Sequence, residues 1–308
     1  MKKLSLVLLL LIVFADLANA QNFYSRRRNR TLMFSYGLGG AQYHGDMHDV
    51  LYDGLNAATG YSFGIGLRKK LGSQLSVRFD INYYQIGGSD AENGDIGTLI
   101  GRPTSANRYL RNLSFRSRNV EFSALANFNL LPVKARYSGR PAVNPYILGG
   151  IGWTTVNAKA ELDGEWYLLR DYNTELGYAQ EGEQEKAWRM VIPLGIGLRL
   201  RTNQYIDVVL EAARRFTFTD YLDDVSTFYP SEQDLIDFHG PDKGALAYRL
   251  SNRRGELEGQ ENYDKGDLRG ISENNDAYYI FQIRLEMYLP DSFLSEIFSP
   301  SRRKPKFR

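Results

Sequence analysis

A short segment of the sequence, 43-YHGDMHD-49, contains two of the three histidines together with two aspartates. Histidines placed this close to carboxylates can bind zinc, and three such ligands are enough for a catalytic site. A catalytic metal also needs ligands that neighbouring groups hold rigidly. The third histidine, His239, is far away along the chain. Whether the segment binds a metal therefore depends on the elements that position it.

A second acidic segment, 220-DYLDDVS-226, supplies Asp220, Asp223 and Asp224. These carboxylates could coordinate calcium, but the segment lacks the alternating oxygen ligands and the central glycine of a calcium loop. A solvated or hydrogen-bonding acidic turn is the simpler interpretation. We therefore expect no metal at either segment.

Common catalytic and phosphate-binding motifs give no support for an enzyme. The sequence has no G-x-x-x-x-G-K segment and no cysteine, and its G-x-S-x-G match, 60-GYSFG-64, lies inside an alternating segment and not at a strand-to-helix turn. Glycine runs such as 37-GLGG-40 lie inside alternating segments without a following helix, which is not the context of a dinucleotide site. We expect no cofactor and a non-enzymatic protein. An outer-membrane barrel enzyme, such as a lipase or an acyltransferase, is the alternative, because such a barrel can lack these motifs.

The amino terminus has the pattern of a secretory signal. Lys2 and Lys3 precede an apolar run at 4–14, and Ala18-Asn19-Ala20 has the small-x-small form that signal peptidase recognises. We expect residues 1–20 to be a cleaved signal peptide, with Gln21 first in the mature chain. Because no cysteine follows the cleavage site, we do not expect a lipoprotein anchor.

The composition favours an exported β protein. The chain contains 29 Gly, 21 Tyr and 16 Phe, and its net charge is only +2. So small a charge gives no reason to expect a nucleic-acid partner. Without cysteine, an exported fold must be held by hydrogen bonds and packing alone. No run of 18 apolar residues follows the signal, so we expect no helical membrane span.

Hydrophobic residues alternate with polar residues over long segments. In 75-LSVRFDINYYQ-85, Leu75, Val77 and Phe79 share one face while Arg78 and Asp80 share the other. This period of two predicts a β-strand. Strands of 9–11 residues suit a tilted crossing of a bilayer. Eight such segments are found, at 32–43, 59–70, 73–86, 116–130, 143–157, 188–201, 204–218 and 276–289.

The connections between these segments alternate in length. Short or moderate links at 70–73, 131–142 and 201–204 alternate with long polar links at 44–58, 87–115, 158–187 and 219–275. Short periplasmic turns and long outer loops are typical of outer-membrane barrels with an even number of strands. The sequence therefore predicts an all-β, OmpA-like fold: an eight-stranded antiparallel transmembrane up-and-down β-barrel over 32–289. Segments 21–31 and 290–308 would lie in the periplasm.

The polar faces of the strands carry a balanced set of charges. In a soluble, lipocalin-like barrel these faces would point outward, whereas in a membrane barrel they would fill the lumen. An eight-stranded lumen is just wide enough for side chains, so paired charges would leave no pore. The aromatic residues of the opposite faces favour the membrane barrel. The expected interior charges are Arg68, Arg78, Asp80, Glu121, Arg199, Asp207, Glu211, Arg215, Arg284 and Glu286.

Two segments resemble a known family. The first, 35-SYGLGGAQYHGDMHD-49, has a Y-x-G-D core formed by Tyr43, Gly45 and Asp46. The second, 214-RRFTFTDYLDDVSTFYP-230, contains Thr219, Asp220, Tyr221, Leu222, Asp223 and Asp224. Together they are similar to the PorG-like outer-membrane barrels of the type IX secretion system, which also serves gliding motility. On this reading His44 and His48 are incidental.

The resemblance implies a non-enzymatic role in the cell outer membrane. PorG-like barrels are thought to tether a periplasmic ring, made of a lipoprotein and its partner subunit, to the membrane. The expected partners are therefore outer-membrane lipid and these ring subunits. The tail at 290–308 could dock on the ring or on anionic headgroups through Phe293, Leu294, Arg302, Arg303 and Lys304. A disordered basic tail, and a general OmpA-like structural or surface-adhesion barrel, are the alternatives.

Overall fold

The computed structural model describes residues 31–47, 60–90, 108–134, 139–176, 184, 186–272 and 275–289. The expected signal peptide at 1–20, most of the segment 21–31 and the tail 290–308 with its docking residues lie outside this range. His48 also lies outside it. No helix within these ranges has the length and apolar character needed to cross a bilayer.

The described residues form ten strands, eight of which are long. Two α-helices and two short 3-10 helices, Leu169–Asp171 and Arg254–Glu256, occur in the connections, with a further helical turn at 108–111. The strands are β1 (Leu32–His44), β2 (Tyr61–Lys70), β3 (Leu75–Ser89), β4 (Ser114–Asn129), β5 (Val143–Thr155), β6 (Ala158–Leu162), β7 (Glu165–Leu168), β8 (Trp188–Arg201), β9 (Ile206–Thr217) and β10 (Ala277–Leu289). The helices are α1 (Glu232–His239) and α2 (Pro241–Ser251).

The eight long strands close into an antiparallel barrel. Their order is β3-β2-β1-β10-β9-β8-β5-β4, and pairing of β3 with β4 completes the circle. The first and last strands pair from Leu32↔Leu289 to His44↔Ala277. Closure leaves no unpaired strand edge in the wall, as a bilayer requires. The predicted eight-stranded up-and-down barrel is confirmed, with strand ends shifted by a few residues.

The wall of the barrel has an apolar outer face and a polar inner face. Outward-facing Phe79, Ile196 and Ile283 are 63%, 66% and 60% exposed, whereas inward-facing Arg78 and Arg284 are 0% and 1% exposed. A soluble, lipocalin-like barrel needs the reverse arrangement, so that alternative is wrong. The outward apolar side chains form a lipid-facing belt of the kind found in membrane barrels.

The height of the lipid-facing belt can be read along β4. Its outward apolar side chains run from Val120 to Leu130, just after the strand. Ten residues at about 3.3 Å each span about 33 Å, which a tilt of about 40° reduces to about 25 Å. This matches the apolar thickness of an outer-membrane barrel. Residues before Val120, including Arg118, therefore lie beyond the belt.

The connections place different structures at the two edges of the barrel. Short turns and both ends of the described barrel lie at one edge, here called the short-turn edge. The opposite, long-loop edge carries the β6–β7 hairpin, α1, α2 and the connections around them. Leu222, Val225 and Leu250 pack there against Ile86 and other rim residues in one apolar cluster. We call this assembly the cap.

The segments 158–187 and 219–275, which the sequence predicts only as long polar links, contain further secondary structure. Strand β6 extends the sheet by pairing with β4 at Arg116↔Lys159, and β7 pairs with β6. Helix α1 begins at a capping box in which Ser231 and Asp234 satisfy each other's backbone N–H groups. The cap therefore has the packing of a folded unit.

Candidate functional site

The predicted interior charges all lie within the lumen. Ten ionisable side chains, none more than 7% exposed, fill it: Arg68, Arg78, Asp80, Glu121, Arg199, Asp207, Glu211, Arg215, Arg284 and Glu286. They alternate along strands that bury every second residue. The lumen is therefore a packed polar core.

The middle of the lumen is organised around Arg78. Its guanidinium donates two hydrogen bonds of 2.7 Å to Glu211, which also accepts one of 2.6 Å from the Tyr146 hydroxyl. Asp80 lies 2.8 Å from Arg78 and 3.0 Å from Arg284. Bidentate pairing of this kind offsets the cost of removing charges from water.

Two further groups of ion pairs occupy the ends of the lumen. Near the short-turn edge, Arg68 and Arg199 both contact Glu286, with 3.0 Å for Arg199. Towards the long-loop edge, Arg215 lies 3.3 Å from Glu121, which accepts a hydrogen bond of 2.7 Å from the Tyr278 hydroxyl. These networks block the interior along its length.

One lumen cation was missed by sequence reasoning. Arg140 comes from the connection between β4 and β5, yet it lies 3.0 Å from Asp207 and 4.2 Å from the Tyr288 ring centre. Strand alternation carries no information about a turn residue that folds back into the lumen. The sequence held no signal for this contact.

A second cluster forms where the cap meets the barrel rim. We define the rim cluster as Tyr43, Asp46, Asp220, Asp223 and Asp276, each at most 9% exposed. The Tyr43 hydroxyl lies 2.6 Å from an oxygen of Asp223 and 2.6 Å from an oxygen of Asp276. A phenol has one proton to donate. The geometry therefore requires one of the two carboxyls to be protonated and to donate to the Tyr43 oxygen.

The pKa shifts of the rim-cluster carboxyls support a retained proton. Burial, followed by the charge of Asp46, raises the pKa of Asp223. Burial, followed by the charge of Asp223, raises the pKa of Asp276. The pKa of Asp220 is raised by burial and then by the charges of Asp276 and Asp223. A group of close, buried carboxyls cannot all ionise, so the rim cluster holds protons near neutral pH.

Backbone N–H groups bind three of the rim-cluster carboxyls. Asp276 accepts a hydrogen bond of 2.9 Å from the N–H of Leu222, and Asp223 accepts one of 2.9 Å from Val225. Asp46 accepts one of 2.8 Å from Ile271. Asp276 and Asp46 therefore hold two segments of the cap, at Leu222 and at Ile271, against the rim, while Asp223 accepts its bond within its own segment.

Gly45 has a steric reason to be glycine. A Cβ atom there would lie 1.9 Å from the Asp276 carboxylate and 2.0 Å from the Tyr43 hydroxyl. Side-chain atoms cannot approach so closely, so the chain has no room for alanine unless the rim cluster moves. In the Y-x-G-D pattern, Tyr43 donates a hydrogen bond, Gly45 leaves space for the rim cluster, and the Asp46 carboxylate binds the cap.

The acidic segment is buried, which corrects the expectation that it could be solvated. Asp220, Asp223 and Asp224 are 6%, 0% and 2% exposed, and the neighbouring Leu222 is 0% exposed. Asp224 adopts a positive φ of 73° and accepts hydrogen bonds from Thr174 and Gln184. Burial, opposed by Arg269, raises the pKa of Asp224 to about 6.

Beside this segment lies an anchor that sequence reasoning missed. Glu175 accepts hydrogen bonds from the N–H groups of Ser226 and Thr227, at 2.8 and 3.0 Å, and one of 2.6 Å from Arg269. The Tyr221 hydroxyl donates to it at 3.2 Å. No local pattern could have linked these positions, because their contacts cross long sequence separations.

The other motif residues take part in the same junction. Thr219 accepts a hydrogen bond of 3.0 Å from the Asp276 N–H at its carbonyl. His44 lies beside Tyr279, with 6.2 Å between ring centres. Within the described ranges, no three histidine or acidic side chains are placed to hold a metal ion. Asp49 of the first segment falls outside those ranges.

A family comparison places the chain. The family described as a domain of unknown function (DUF6089) matches residues 5–240. The chain belongs to the DUF6089 family. The matched range covers seven of the eight barrel strands and both motif segments, so it contains most of the rim cluster. A search of curated proteins finds no match.

Several solved membrane barrels are distantly similar to this DUF6089 chain. Neisserial surface protein A is 9% identical, with 84% of this chain and 97% of that chain covered and a TM-score of 0.36. Ail of Yersinia pestis is 10% identical, with 85% of this chain and 99% of that chain covered and a TM-score of 0.37. The outer membrane enzyme PagL is 10% identical, with 83% of this chain and 99% of that chain covered and a TM-score of 0.32. These similarities are too distant to assign a function.

Proposed function

We propose that this DUF6089 protein is a non-enzymatic outer-membrane anchor that tethers the periplasmic ring of the type IX secretion system. The observation that carries the proposal is the filled lumen. Arg78, Glu211 and Asp80 block the interior with ion pairs, so the outer surfaces of the barrel are left to carry function. The choice of secretion system rests on the resemblance of the two motif segments to PorG-like barrels.

The position of the chain ends supports a tethering role. Leu32 and Leu289 are paired neighbours at the short-turn edge. The described barrel therefore begins and ends at adjacent points on one side of the membrane, next to the segments 21–31 and 290–308 in the sequence. Both are rich in basic residues, with Arg26, Arg27 and Arg28 in the first and Arg302 and Arg303 in the second. We expect this side to face the periplasm, because short turns do so in outer-membrane barrels.

Co-purification tests the proposal. The tagged full-length barrel, extracted from its own cells in mild detergent, should retain the periplasmic lipoprotein and its partner subunit. Deletion of the gene should leave secreted cargo in the periplasm. Normal secretion in the deletion strain would contradict the proposal. A chain ending at 289 that still retains the ring would restrict the tether to the turns and the amino-terminal segment.

The second candidate is a general structural or surface-adhesion barrel. The folded cap favours it, because a packed surface with a pocket of about 440 Å³ suits ligand contact. Arg111, Tyr229 and Arg269 line this pocket. In that case a deletion strain would secrete normally but lose envelope integrity or surface binding.

A further inference from the structure

A basic patch lies on the outer wall of the barrel, just beyond the lipid-facing belt. Arg116 and Arg118 project outward from the long-loop end of β4, and Lys159 projects from β6 beside them. With Asn157, Trp166 and Leu168 they line an open groove of about 530 Å³. Among the residues that the structure describes, its lining includes three cations and no acidic side chain.

The strand register brings two of these cations together. Arg116 and Lys159 are direct partners in the antiparallel pairing of β4 with β6. Side chains in such a pair are about 5 Å apart at Cβ, and like charges placed this way are destabilising. None of the three cations is ion-paired with a described carboxylate. An anion bound between them would relieve the repulsion.

The side chains are arranged to donate hydrogen bonds outward. The Arg116 guanidinium carbon lies 3.6 Å from the centre of the Trp166 ring, so the two planes are in close contact. Arginine stacked on a ring still has N–H groups at its edge, which match the oxygens of phosphate. Arg118 uses its Nε–H for Gln85 at 3.1 Å. Arg118 itself lines the same groove.

The height of the patch identifies the partner. Val120 follows Arg118 by two residues along β4 and pairs with Tyr83 on β3. The centre of the Tyr83 ring lies 6.0 Å from that of Tyr61. Exposed tyrosine and tryptophan rings mark the boundary between acyl chains and headgroups. Cations immediately beyond that boundary lie at the level of lipid phosphates. An occupant free in solution would not need the patch to border the belt.

We propose that this patch binds the phosphate groups of a lipid headgroup in the leaflet at the long-loop edge. Arg116, Arg118 and Lys159 contact the phosphates, and Trp166 and Leu168 contact the apolar part of the same lipid. This site depends on the membrane position of the barrel and is independent of any role in secretion. It would hold the cap at a fixed height on the membrane surface.

Native mass spectrometry of the full-length barrel in mild detergent tests this proposal, with diphosphorylated lipid A as the probe. The wild-type chain should retain the lipid. Replacing Arg116, Arg118 and Lys159 by Gln should weaken retention about a hundredfold, since each cation near an anionic headgroup contributes roughly a factor of five. The single variant Arg118→Gln should weaken it about fivefold. Arg118→Lys should retain binding.

A matched control removes the same number of charges from the cap. The control variant carries Lys243→Gln, Arg249→Gln and Lys265→Gln, at positions on or near α1 and α2. It should retain lipid as the wild type does. Heat-modifiable migration on gels shows that each variant is folded. Equal retention by the wild type and the patch variants would overturn the proposal. So would full competition by inorganic phosphate, which would make the groove a site for free anions.

Discussion

The hydroxyl of Tyr43 lies 2.6 Å from Oδ2 of Asp223, a residue 180 positions later in the chain. Tyr43 belongs to the first barrel strand and Asp223 to the cap. The same hydroxyl also contacts Asp276, which directly precedes the last strand. One phenol group therefore joins the beginning of the barrel, the cap and the final strand. The stability of the cap should therefore depend on this junction.

Replacing Tyr43 by Phe should loosen the cap while the barrel stays folded. The substitution keeps the ring contact with Phe115 but leaves two buried carboxyls without their shared partner. Loss of a buried hydrogen-bond partner costs about 1–3 kcal/mol. Hydrogen exchange in 219–272 should increase, while exchange in β2 to β5 should not change.

Tyr36→Phe is the matched control for this substitution. Tyr36 faces outward and packs edge-to-face on Phe63, with 5.1 Å between ring centres. Loss of its hydroxyl should leave exchange in the cap unchanged. If the Tyr43→Phe and Tyr36→Phe variants showed the same hydrogen exchange in 219–272, the rim cluster would not hold the cap.

The cap should lose stability as pH rises. Burial raises the pKa of Asp223 from 3.8 to about 8, so the folded cap binds a proton that the unfolded segment releases. This contribution is fully present below about pH 4 and is lost as pH rises through about 8. Asp46, Asp220 and Asp276 act in the same direction. Protease cleavage within 219–272 should therefore accelerate between mildly acidic and alkaline buffers.

Asp223→Asn isolates the contribution of this carboxyl. The amide has the shape of the protonated acid and can donate to the Tyr43 oxygen, so the cap should remain folded. Its cleavage rate should change less with pH than that of the wild type. An unchanged pH profile would show that another group of the rim cluster carries the proton.

The barrel was predictable because its signal is local. Alternation with period two identifies a strand such as β3 and also tells which side chains face inward, so Arg78 and Glu211 were expected in the lumen. Their partnership was not predictable, because it crosses the barrel between residues 133 positions apart. Strand order and register had to be known before any ion pair could be assigned.

The cap was missed for two different reasons. Helix α1 had a usable local signal, because Ser231 and Asp234 form a capping box and Pro241 begins the following helix. The anchor formed by Glu175 and Arg269 had none, since it depends on how two long connections fold over the rim. Motif recognition located Tyr43 and Asp223 separately, and only the structure shows that they touch.

Gly45→Ala should disrupt the rim cluster through volume alone. The new Cβ would be forced to within 1.9 Å of the Asp276 carboxylate. Crowding of a packed site typically costs about 1–3 kcal/mol. Increased hydrogen exchange in 219–272 would check this expectation. Gly72→Ala is the control, because nothing lies within 4 Å of a Cβ there and the cap should be unaffected.

The lumen predicts a non-additive pair of substitutions. Glu211→Leu leaves Arg78 buried without its bidentate partner, and removal of one member of a buried ion pair costs about 3–5 kcal/mol. Replacing both residues by Leu should restore the larger part of this loss, because Asp80 keeps its contact with Arg284 at 3.0 Å. Unfolding by guanidinium in lipid vesicles, followed by tryptophan fluorescence, measures the difference. The prediction would be contradicted if the double variant were less stable than Glu211→Leu alone. That result would mean that the Arg78–Glu211 pair stabilises the barrel by more than an unpaired Arg78 destabilises it.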